Sequence, residues 1–329
     1  EFDSSILSGW PTGVVFPYTP QDVVTTVKWA AEHSVPVIAR GSGTGLAGGA
    51  TAPRGGLVLG FSHMADIVEL DTDGRSAVIE PGVFNLALDE AAKAEGLYFP
   101  PDPASGRQAT VVGNIATNAG GPHCFKYGVT TNYVTGLDVV LADGRRAKIG
   151  GRAFDYPELD FVGLLTGSEG TLGVITGADV RLIGNPPAVK TLMAAFDSIE
   201  AAGDAVSAVI ARGLVPATME MMSQNMVRIV EEFAHPGLPV DAGAVIIVDA
   251  DGYPESVAPQ IEEIEAVLRE NGGYNLRVAQ SAEERDKIWY ARKSAAGSLA
   301  RIAPDHYTVD GTVPRSHLAE PINETRPSS

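Results

Sequence analysis

The chain has 329 residues, of which 44% are hydrophobic and 20% are charged, and its formal net charge is −17. This length allows two domains with well-buried cores. The acidic balance argues against a nucleic-acid partner, because phosphate backbones are bound by clustered Lys and Arg. The single cysteine, Cys124, excludes an intrachain disulfide and a multi-cysteine metal site. We find neither a secretory signal pattern nor an apolar run of roughly 18 residues, so we expect a cytoplasmic protein without a membrane span.

The first elements predict a β-α-β unit. Residues 14–16 have the composition of a strand, and Thr19 can cap a helix that has Pro20 at its first position and Asp22 in its first turn. Apolar residues then recur at helical spacing up to His33. A second strand follows and leads directly into a glycine-rich loop.

That loop, residues 41–49, contains glycines at positions 41, 43, 45, 48 and 49. Glycine lets the backbone approach a ligand closely, and successive N–H groups of such a loop form a nest that suits a phosphate or pyrophosphate. The spacing matches G-x-G-x-x-G, but a Rossmann turn requires a helix directly after it. Pro53 and the glycines at 55 and 56 oppose a helix here, and residues 57–61 predict another strand. A surface loop without a ligand is the alternative, and it loses weight as further glycine-rich segments follow.

Hairpins and one helix separate the glycine-rich segments. Residues 67–70 and 77–80 flank an Asp-Gly turn, and residues 137–141 and 146–149 flank a second one. Residues 85–95 predict an alanine-rich helix that ends at a glycine.

Two later segments share the composition of the first loop. A proline-rich stretch, residues 100–105, precedes residues 110–121, which we predict to be a loop whose Asn amides can hydrogen-bond a large ligand. Residues 167–173 form a third glycine loop before a strand at 174–176. Three such segments, separated by strands, indicate a long cofactor that is held at several points.

The composition shifts at Asn185-Pro186-Pro187, which we interpret as a domain boundary. Strands and helices alternate beyond it, with strands at 192–196, 217–221, 244–248 and 275–278 and helices at 199–212, 225–233 and 256–271. This order suits an antiparallel sheet with helices on one face.

With these motifs in view, the chain resembles the FAD-linked oxidases of the vanillyl-alcohol oxidase/PCMH superfamily, and within it the group of the glycolate oxidase large subunit and D-lactate dehydrogenase, relatives of D-2-hydroxyglutarate dehydrogenase. The matching pieces are Pro17-x-x-Pro20, residues 40–49, Pro81-Gly82, residues 101–105, residues 113–121, Lys126-Tyr127-Gly128, residues 167–176, Trp289-x-x-Arg292 and residues 310–314. The resemblance implies an α+β fold, with a PCMH-type FAD-binding domain of two α+β subdomains at 11–187. A ferredoxin-like substrate (cap) domain at 188–329, incomplete at its C-terminus, is expected to follow.

The resemblance also implies which residues hold FAD. The pyrophosphate is expected to lie against Arg40, Gly41, Ser42, Gly43, Thr44 and Gly45. The flavin and its ribityl chain are expected to contact Pro81, Gly82, Pro101, Ser105, Gly113, Asn114, Ala116, Asn118, Gly120 and Gly121, with further contacts from Gly128, Gly173, Val174 and Ile175. Thr44 stands where several superfamily members carry a histidine that links FAD covalently, so we expect non-covalent FAD.

The implied chemistry is the oxidation of a 2-hydroxy acid to the 2-oxo acid by hydride transfer to flavin N5. Such a reaction needs a cation for the carboxylate and a base or metal for the hydroxyl proton. Arg292 is the candidate for the carboxylate, since its fork matches two oxygens. The alternative is an exposed helix arginine paired with Glu284 or Asp286. The related hydroxyglutarate enzymes have a lysine near Tyr307-Thr308, and its absence here favours a small acid such as glycolate or D-lactate.

The family's H-x-G-D-G-N-x-H block is absent, and the six histidines (33, 63, 123, 235, 306 and 317) lack ligand spacing. We therefore predict no metal site here and expect a divalent metal only in a complete chain. His123 is nearest to the expected flavin and has either a structural or a catalytic role, and His306 is a weaker candidate. Glu169 is expected to organise its loop by accepting backbone N–H bonds, and the glutamates at 262, 263 and 265 to form a solvated helix face.

The expected partners are the hydroxy acid and an electron acceptor, either a quinone, a cytochrome or an electron-transfer protein, in a homodimer or a hetero-complex. Three alternatives stay open at this point. The first is a D-2-hydroxyglutarate dehydrogenase-like enzyme, and the second is an alkyl-dihydroxyacetone-phosphate synthase, disfavoured because the second half lacks an obvious basic phosphate pocket. The third is a non-catalytic FAD-binding subunit.

Overall fold

The structure is a computed structural model that describes residues 3–154, 159–299 and 311–314. The chain divides into two units, Glu1–Asn185 and Pro186–Ser329. No helix within the described ranges combines the length and apolarity needed to cross a bilayer.

Unit 1 opens with a small parallel sheet. Its elements are β1 (Gly13–Val15), α1 (Pro20–Glu32), β2 (Val37–Arg40) and β3 (Leu57–Gly60). The strand order is β1-β3-β2, with β3 parallel to both neighbours. Thr19 caps α1 as predicted, and together with Asp22 it forms a capping box. The predicted β-α-β unit is confirmed, and a strand rather than a helix follows the first glycine loop, as expected.

A larger antiparallel sheet forms the rest of unit 1. Its strands are β4 (Ile67–Asp71), β5 (Ser76–Ile79), β7 (Val134–Val140), β8 (Arg146–Gly150) and β9 (Val174–Arg181), in the order β4-β5-β9-β7-β8. Both predicted hairpins are confirmed. The remaining elements are α2 (Asn85–Ala94), β6 (Leu97–Tyr98), α3 (Val111–Thr117), α4 (Cys124–Tyr127), a 3₁₀ turn at Thr130–Tyr133, α5 (Phe161–Leu165) and β10 (Ile183–Gly184), which pairs with β6.

Two apolar cores support unit 1. The larger one joins α2, α3 and α5 to the antiparallel sheet through residues such as Leu88, Ile115 and Val162. The smaller one joins α1 and β3 to Val174, the first residue of β9, and Ala39 near the end of β2 packs against it. The first and third glycine loops therefore leave the same core.

The predicted loop at residues 110–121 was wrong in part, because it contains the helix α3. Thr110 caps this helix by accepting the N–H of Gly113 at 3.1 Å, and Asn118 ends it in a left-handed conformation with φ 47°. Val111 and Ile115 bury one side of the helix. The small residues that resemble a loop leave room for close packing, and the cap and the apolar spacing determine the structure.

Unit 2 is built on a four-stranded antiparallel sheet. In chain order it contains β11 (Ala188–Phe196), α6 (Ile199–Ala211), β12 (Thr218–Ser223), α7 (Gln224–Ala234), β13 (Ala244–Gly252), α8 (Pro254–Glu270), β14 (Tyr274–Val278), α9 (Ala282–Lys293) and α10 (Ala295–Leu299). The strand order β12-β13-β11-β14 is that of a ferredoxin-like sheet, as expected.

Helices cover both faces of this sheet, so the prediction of one covered face was wrong. Leu192 and Ala194 of β11 pack with α6 and α8, whereas Met193 and Ala195 point to the opposite face and pack with α7 and α9. Because α7 and α9 each carry an apolar side, both need a sheet face to bury it.

Candidate functional site

The three glycine-rich segments of unit 1 come together. The N–H of Gly167 donates to Ile115 O at 2.9 Å, and the N–H of Glu169 donates to Ala116 O at 2.8 Å. A Cβ added at Gly41 would lie 2.4 Å from Thr110 Oγ1. Residues 41–49, 110–121 and 167–173 thus surround one region, which we call the cradle.

Glycine is required at one point where the cradle segments touch. Gly167 has φ 84°, and a Cβ added there would lie 3.2 Å from Asn118 Cβ. A larger residue at this position would strain the backbone and push the second and third segments apart.

The first loop carries backbone donors without partners. Among the described residues, no acceptor receives a hydrogen bond from the N–H groups of residues 42–49, whereas the carbonyls of Gly45 and Gly48 accept from Ser4 and Thr51. Positive φ angles of 76° at Gly43 and 82° at Gly48 turn the chain, and a Cβ at Gly45 would meet nothing within 4 Å. A loop with open space and free N–H donors fits a phosphate or pyrophosphate group.

Arg40 braces this loop. Its Nη1 donates to Ala50 O at 2.9 Å, and a Cβ at Gly43 would lie 2.2 Å from Nη2. The guanidinium therefore spans the loop from its first residues to its last. Arg40 was predicted to contact the pyrophosphate, and at least one of its guanidinium N–H groups instead holds the loop in shape.

Several predicted cofactor residues are held by hydrogen bonds within unit 1. Gly82 is buried, and its N–H donates to Met64 O at 2.7 Å. Asn114 is 4% exposed, and its side-chain amide donates to Asn85 Oδ1 at 3.1 Å. Pro101 O accepts from Asn85 Nδ2 at 3.1 Å, and Ser105 O accepts from the N–H of Ala109 at 2.8 Å.

The end of the second segment contains an acid-imidazole pair. Asp102 Oδ2 lies 2.6 Å from His123 Nδ1, and both side chains are about one third exposed or less, at 33% and 27%. Cys124 Sγ accepts the N–H of Gly121 at 2.9 Å. A carboxylate on Nδ1 fixes the orientation of the imidazole, as it does in hydrogen-bonded histidines generally.

Further contacts hold the end of the second segment against the residues that follow it in the chain. Gly128 has φ 78°, and a Cβ there would lie 2.3 Å from Asn132 Oδ1. Asn118 Oδ1 accepts the N–H of Thr131 at 2.9 Å. The Tyr133 hydroxyl donates to Tyr127 O at 2.9 Å, and burial raises the pKa of Tyr133 although Arg181 opposes this, so the hydroxyl stays protonated as a donor.

The expectation for Glu169 was wrong. Its carboxylate accepts no hydrogen bond from a described residue, and the side chain is exposed. The residue contributes through its backbone instead, with φ 52° and the N–H bond to Ala116. The tight turn of the third loop thus depends on a left-handed residue, and the side chain is left in solvent.

Arg292 lies in unit 2 on α9. Its Nε donates to Glu220 Oε2 of β12 at 2.7 Å, with the two side chains 34% and 20% exposed. The suggested partners Glu284 and Asp286 were wrong, since Glu284 pairs with Arg277 and Asp286 with Arg285. In the described part of the chain, the two terminal nitrogens of Arg292 donate to no residue.

Trp289 lies three residues before Arg292 on the same helix. Its side chain is buried, at 9% exposure, and its indole N–H has no hydrogen-bond partner among the described residues. An unpaired buried donor costs about 1–3 kcal/mol, and the packing of Trp289 in the core under α7 and α9 offsets that cost.

The described residues contain no group of three His, Cys, Asp or Glu side chains that could hold a metal ion. His306, Tyr307, Thr308 and His317 lie outside the described residues, as does Asp310 of the predicted 310–314 motif. Residues 311–314 have no regular secondary structure.

Comparison with known families agrees with this architecture. Residues 11–150 match a family model described as an FAD binding domain, and residues 185–328 match the C-terminal domain of FAD linked oxidases. Two solved structures share the fold at low sequence identity. An alkyldihydroxyacetonephosphate synthase has a TM-score of 0.75 at 19% identity, covering 93% of this chain and 62% of that one. A p-cresol methylhydroxylase has a TM-score of 0.71 at 18% identity, covering 87% and 63%.

The fold is thus that of a PCMH-type FAD-binding domain followed by an FAD-oxidase C-terminal domain. Glycolate oxidase subunit GlcD of Bacillus subtilis is 41% identical over 95% of this chain and 67% of its own length. GlcD of Escherichia coli K12 is 40% identical over 94% and 62%, and D-lactate dehydrogenase of Archaeoglobus fulgidus is 35% identical over 93% and 68%. The chain belongs to the FAD-linked oxidase family, as the sequence motifs predicted, and it spans about two thirds of the length of these relatives.

Proposed function

We propose that the protein is an FAD-dependent oxidoreductase that oxidises a small 2-hydroxy acid, glycolate or D-lactate, to the 2-oxo acid. The observation that carries the proposal is the 41% identity to a glycolate oxidase subunit over 313 residues, which extends through both units. Residues 11–187 are the FAD-binding domain in this proposal, and residues 188–329 are the substrate domain.

FAD would lie in the cradle of unit 1. The unpaired N–H groups of residues 42–45 would receive its phosphates, and Arg40 would keep the loop in shape around them. Bound FAD supplies the acceptor for the hydride equivalent of the α-carbon. Thr44 offers a hydroxyl where a histidine would be needed for the covalent link, so FAD is expected to be released by denaturation.

Arg292 would hold the substrate carboxylate. Because Glu220 engages Nε, the guanidinium is oriented with its two terminal nitrogens available for a second, bidentate acceptor.

His123 is the candidate for moving the hydroxyl proton. Asp102 Oδ2 lies 2.6 Å from His123 Nδ1 and fixes the orientation of the imidazole, which is the arrangement that positions a histidine for proton transfer. A purely structural role for the Asp102–His123 pair is the competing interpretation.

The relatives' names support a protein that works in an assembly, since both GlcD proteins are named as subunits of glycolate oxidase. We propose a quinone, a cytochrome or an electron-transfer protein as the acceptor, and a cytoplasmic location. A D-2-hydroxyglutarate-type substrate and a non-catalytic FAD-binding subunit are the competing functions.

Anaerobic mixing of the FAD-loaded protein with single hydroxy acids tests the proposal. We expect glycolate or D-lactate to bleach the flavin absorbance. In Arg292→Met, we expect the same bleaching to need a higher concentration of the hydroxy acid. Bleaching by D-2-hydroxyglutarate alone would replace the substrate assignment. No bleaching by any of the three acids would favour the non-catalytic subunit.

A further inference from the structure

The ion pair between Arg292 and Glu220 places a negative charge beside the proposed carboxylate anchor. We propose that Glu220 is a specificity-determining residue that makes the protein prefer monocarboxylates over dicarboxylates. The inference rests on the proposed function of Arg292, and it adds a residue that the sequence motifs do not mark.

The position of Glu220 in the sheet supports this role. Met219 and Met221 of β12 pack on the face that α6 and α8 cover, whereas Met222 packs on the face that α7 and α9 cover. Since successive strand residues alternate, Glu220 lies on the same face as Met222. A carboxylate here is therefore set among the residues that pack under α9, the helix that carries Arg292.

The geometry of the pair separates two parts of the arginine. Glu220 Oε2 lies 2.7 Å from Nε, at the side of the guanidinium, and the terminal nitrogens donate to no described residue. One substrate carboxylate can bind those nitrogens end-on through two hydrogen bonds. With Glu220 and that carboxylate both on one guanidinium, the three groups carry a net charge of about −1, so a second carboxylate on the same substrate is repelled.

The magnitude is sufficient to choose between substrates. Two like charges about 4 Å apart near a protein surface, where the effective dielectric constant is about 20, repel each other strongly. This repulsion is sufficient to raise a dissociation constant by about tenfold or more. Discrimination through a repulsive group is a common device, because it rejects the wrong ligand without strengthening the right one.

Isothermal titration of the FAD-loaded protein with pyruvate and with 2-oxoglutarate tests the inference without turnover. We expect the wild type to bind pyruvate more tightly. Glu220→Gln, which keeps the size and the acceptor oxygen, is expected to lower the ratio of the two dissociation constants by about tenfold. Glu220→Asp is expected to retain the wild-type preference, since it keeps the charge.

Glu270→Gln is the matched control, because Glu270 pairs with Arg212 at 2.8 Å on α8, on the opposite face of the sheet. If Glu220→Gln fails to fold, the salt dependence of binding to the wild type tests the same repulsion. The preference for pyruvate should narrow as salt is raised from about 0.05 to about 0.5 M, since screening weakens the repulsion.

The outcomes separate this inference from the proposed function. Suppose that D-lactate bleaches the flavin but Glu220→Gln keeps the wild-type ratio of the two dissociation constants. The role of Glu220 is then overturned while the proposed function stands. The same holds if Glu220→Gln does not fold and the wild-type ratio does not change with salt. If the wild type binds neither 2-oxo acid and no hydroxy acid bleaches it, both the function and the role of Glu220 are overturned.

Discussion

The side-chain amide of Asn114 donates to Oδ1 of Asn85 at 3.1 Å, and Asn85 Nδ2 in turn donates to Pro101 O at the same distance. Both asparagines are buried, at 4% and 5% exposure. This chain of bonds joins α3, α2 and the proline-rich segment behind the cradle. A buried network of side-chain hydrogen bonds fixes the relative positions of the elements that it joins.

Replacing Asn85 by leucine should destabilise unit 1 and weaken the cradle. The substitution leaves Pro101 O and Asn114 Nδ2 unpaired, which costs about 1–3 kcal/mol of unfolding free energy. Urea unfolding measures that loss, and FAD titration measures the accompanying fall in affinity. Asn225→Ala, at an exposed position on α7, is the control and should stay within about 0.5 kcal/mol of the wild type. A wild-type stability for Asn85→Leu would show that the network is not needed.

Alanine substitutions at two glycines of the first loop should have different effects. A Cβ at Gly45 meets nothing within 4 Å, so Gly45→Ala should fold normally and still lose FAD affinity by about tenfold, because the methyl group occupies the space for the phosphates. A Cβ at Gly41 lies 2.4 Å from Thr110 Oγ1, so Gly41→Ala should reduce both stability and FAD affinity.

Thermal unfolding of the apo-proteins and fluorescence titration with FAD separate the two effects. Gly184→Ala is the matched control, since a Cβ there also meets nothing within 4 Å and the residue lies in β10, away from the first loop. If Gly45→Ala binds FAD as tightly as the wild type, the first loop does not bind the phosphates of FAD.

The capping box of α1 predicts a pH dependence of stability. The hydrogen bond from the Thr19 side chain, followed by that from the Tyr18 N–H, lowers the pKa of Asp22 below its ordinary value of 3.8. The stabilisation is therefore present above that ordinary value and is lost as the pH falls through the folded-state pKa.

Asp22→Asn should accordingly be less stable than the wild type at pH 7, and the difference should shrink below about pH 4. Urea midpoints measured from pH 7 to pH 3 provide the comparison. Asp204→Asn, on the exposed side of α6, should differ from the wild type at neither end of that range. If the difference in stability between Asp22→Asn and the wild type grew as the pH fell, the expected direction of the pH dependence would be contradicted.

Asp102→Asn tests whether His123 acts on a proton. If Asp102 holds the imidazole for proton transfer, the variant should reduce flavin at least tenfold more slowly at saturating hydroxy acid, with little change in substrate affinity. Asp143→Asn, which breaks the exposed pair with Arg145, is the control. An unchanged reduction rate would assign the Asp102–His123 pair a structural role.

Much of the fold could be predicted from local signals. Thr19 and Asp22 mark the start of α1, the Asp-Gly turns mark both hairpins, and Pro53 with the following glycines excludes a helix after the first loop. These features depend on residues close together in the chain, so periodicity and turn chemistry identify them.

The site was harder to predict, because its contacts join distant residues. The bond between Asn114 and Asn85 and the pair of Arg292 with Glu220 span 29 and 72 positions, and no spacing in the sequence indicates them. The helix α3 was missed for a different reason. Its small residues resemble a loop, although Thr110, Val111 and Ile115 carry the cap and the apolar side that mark a helix.

Treatment of the purified protein with acid, followed by absorbance measurement of the supernatant, tests the central claim that the cradle binds FAD without a covalent link. We expect a yellow protein, about one FAD released per chain, and an apo-protein that takes up FAD again at micromolar concentration. A colourless protein that binds no added FAD, or a flavin that stays with the precipitate, would contradict it.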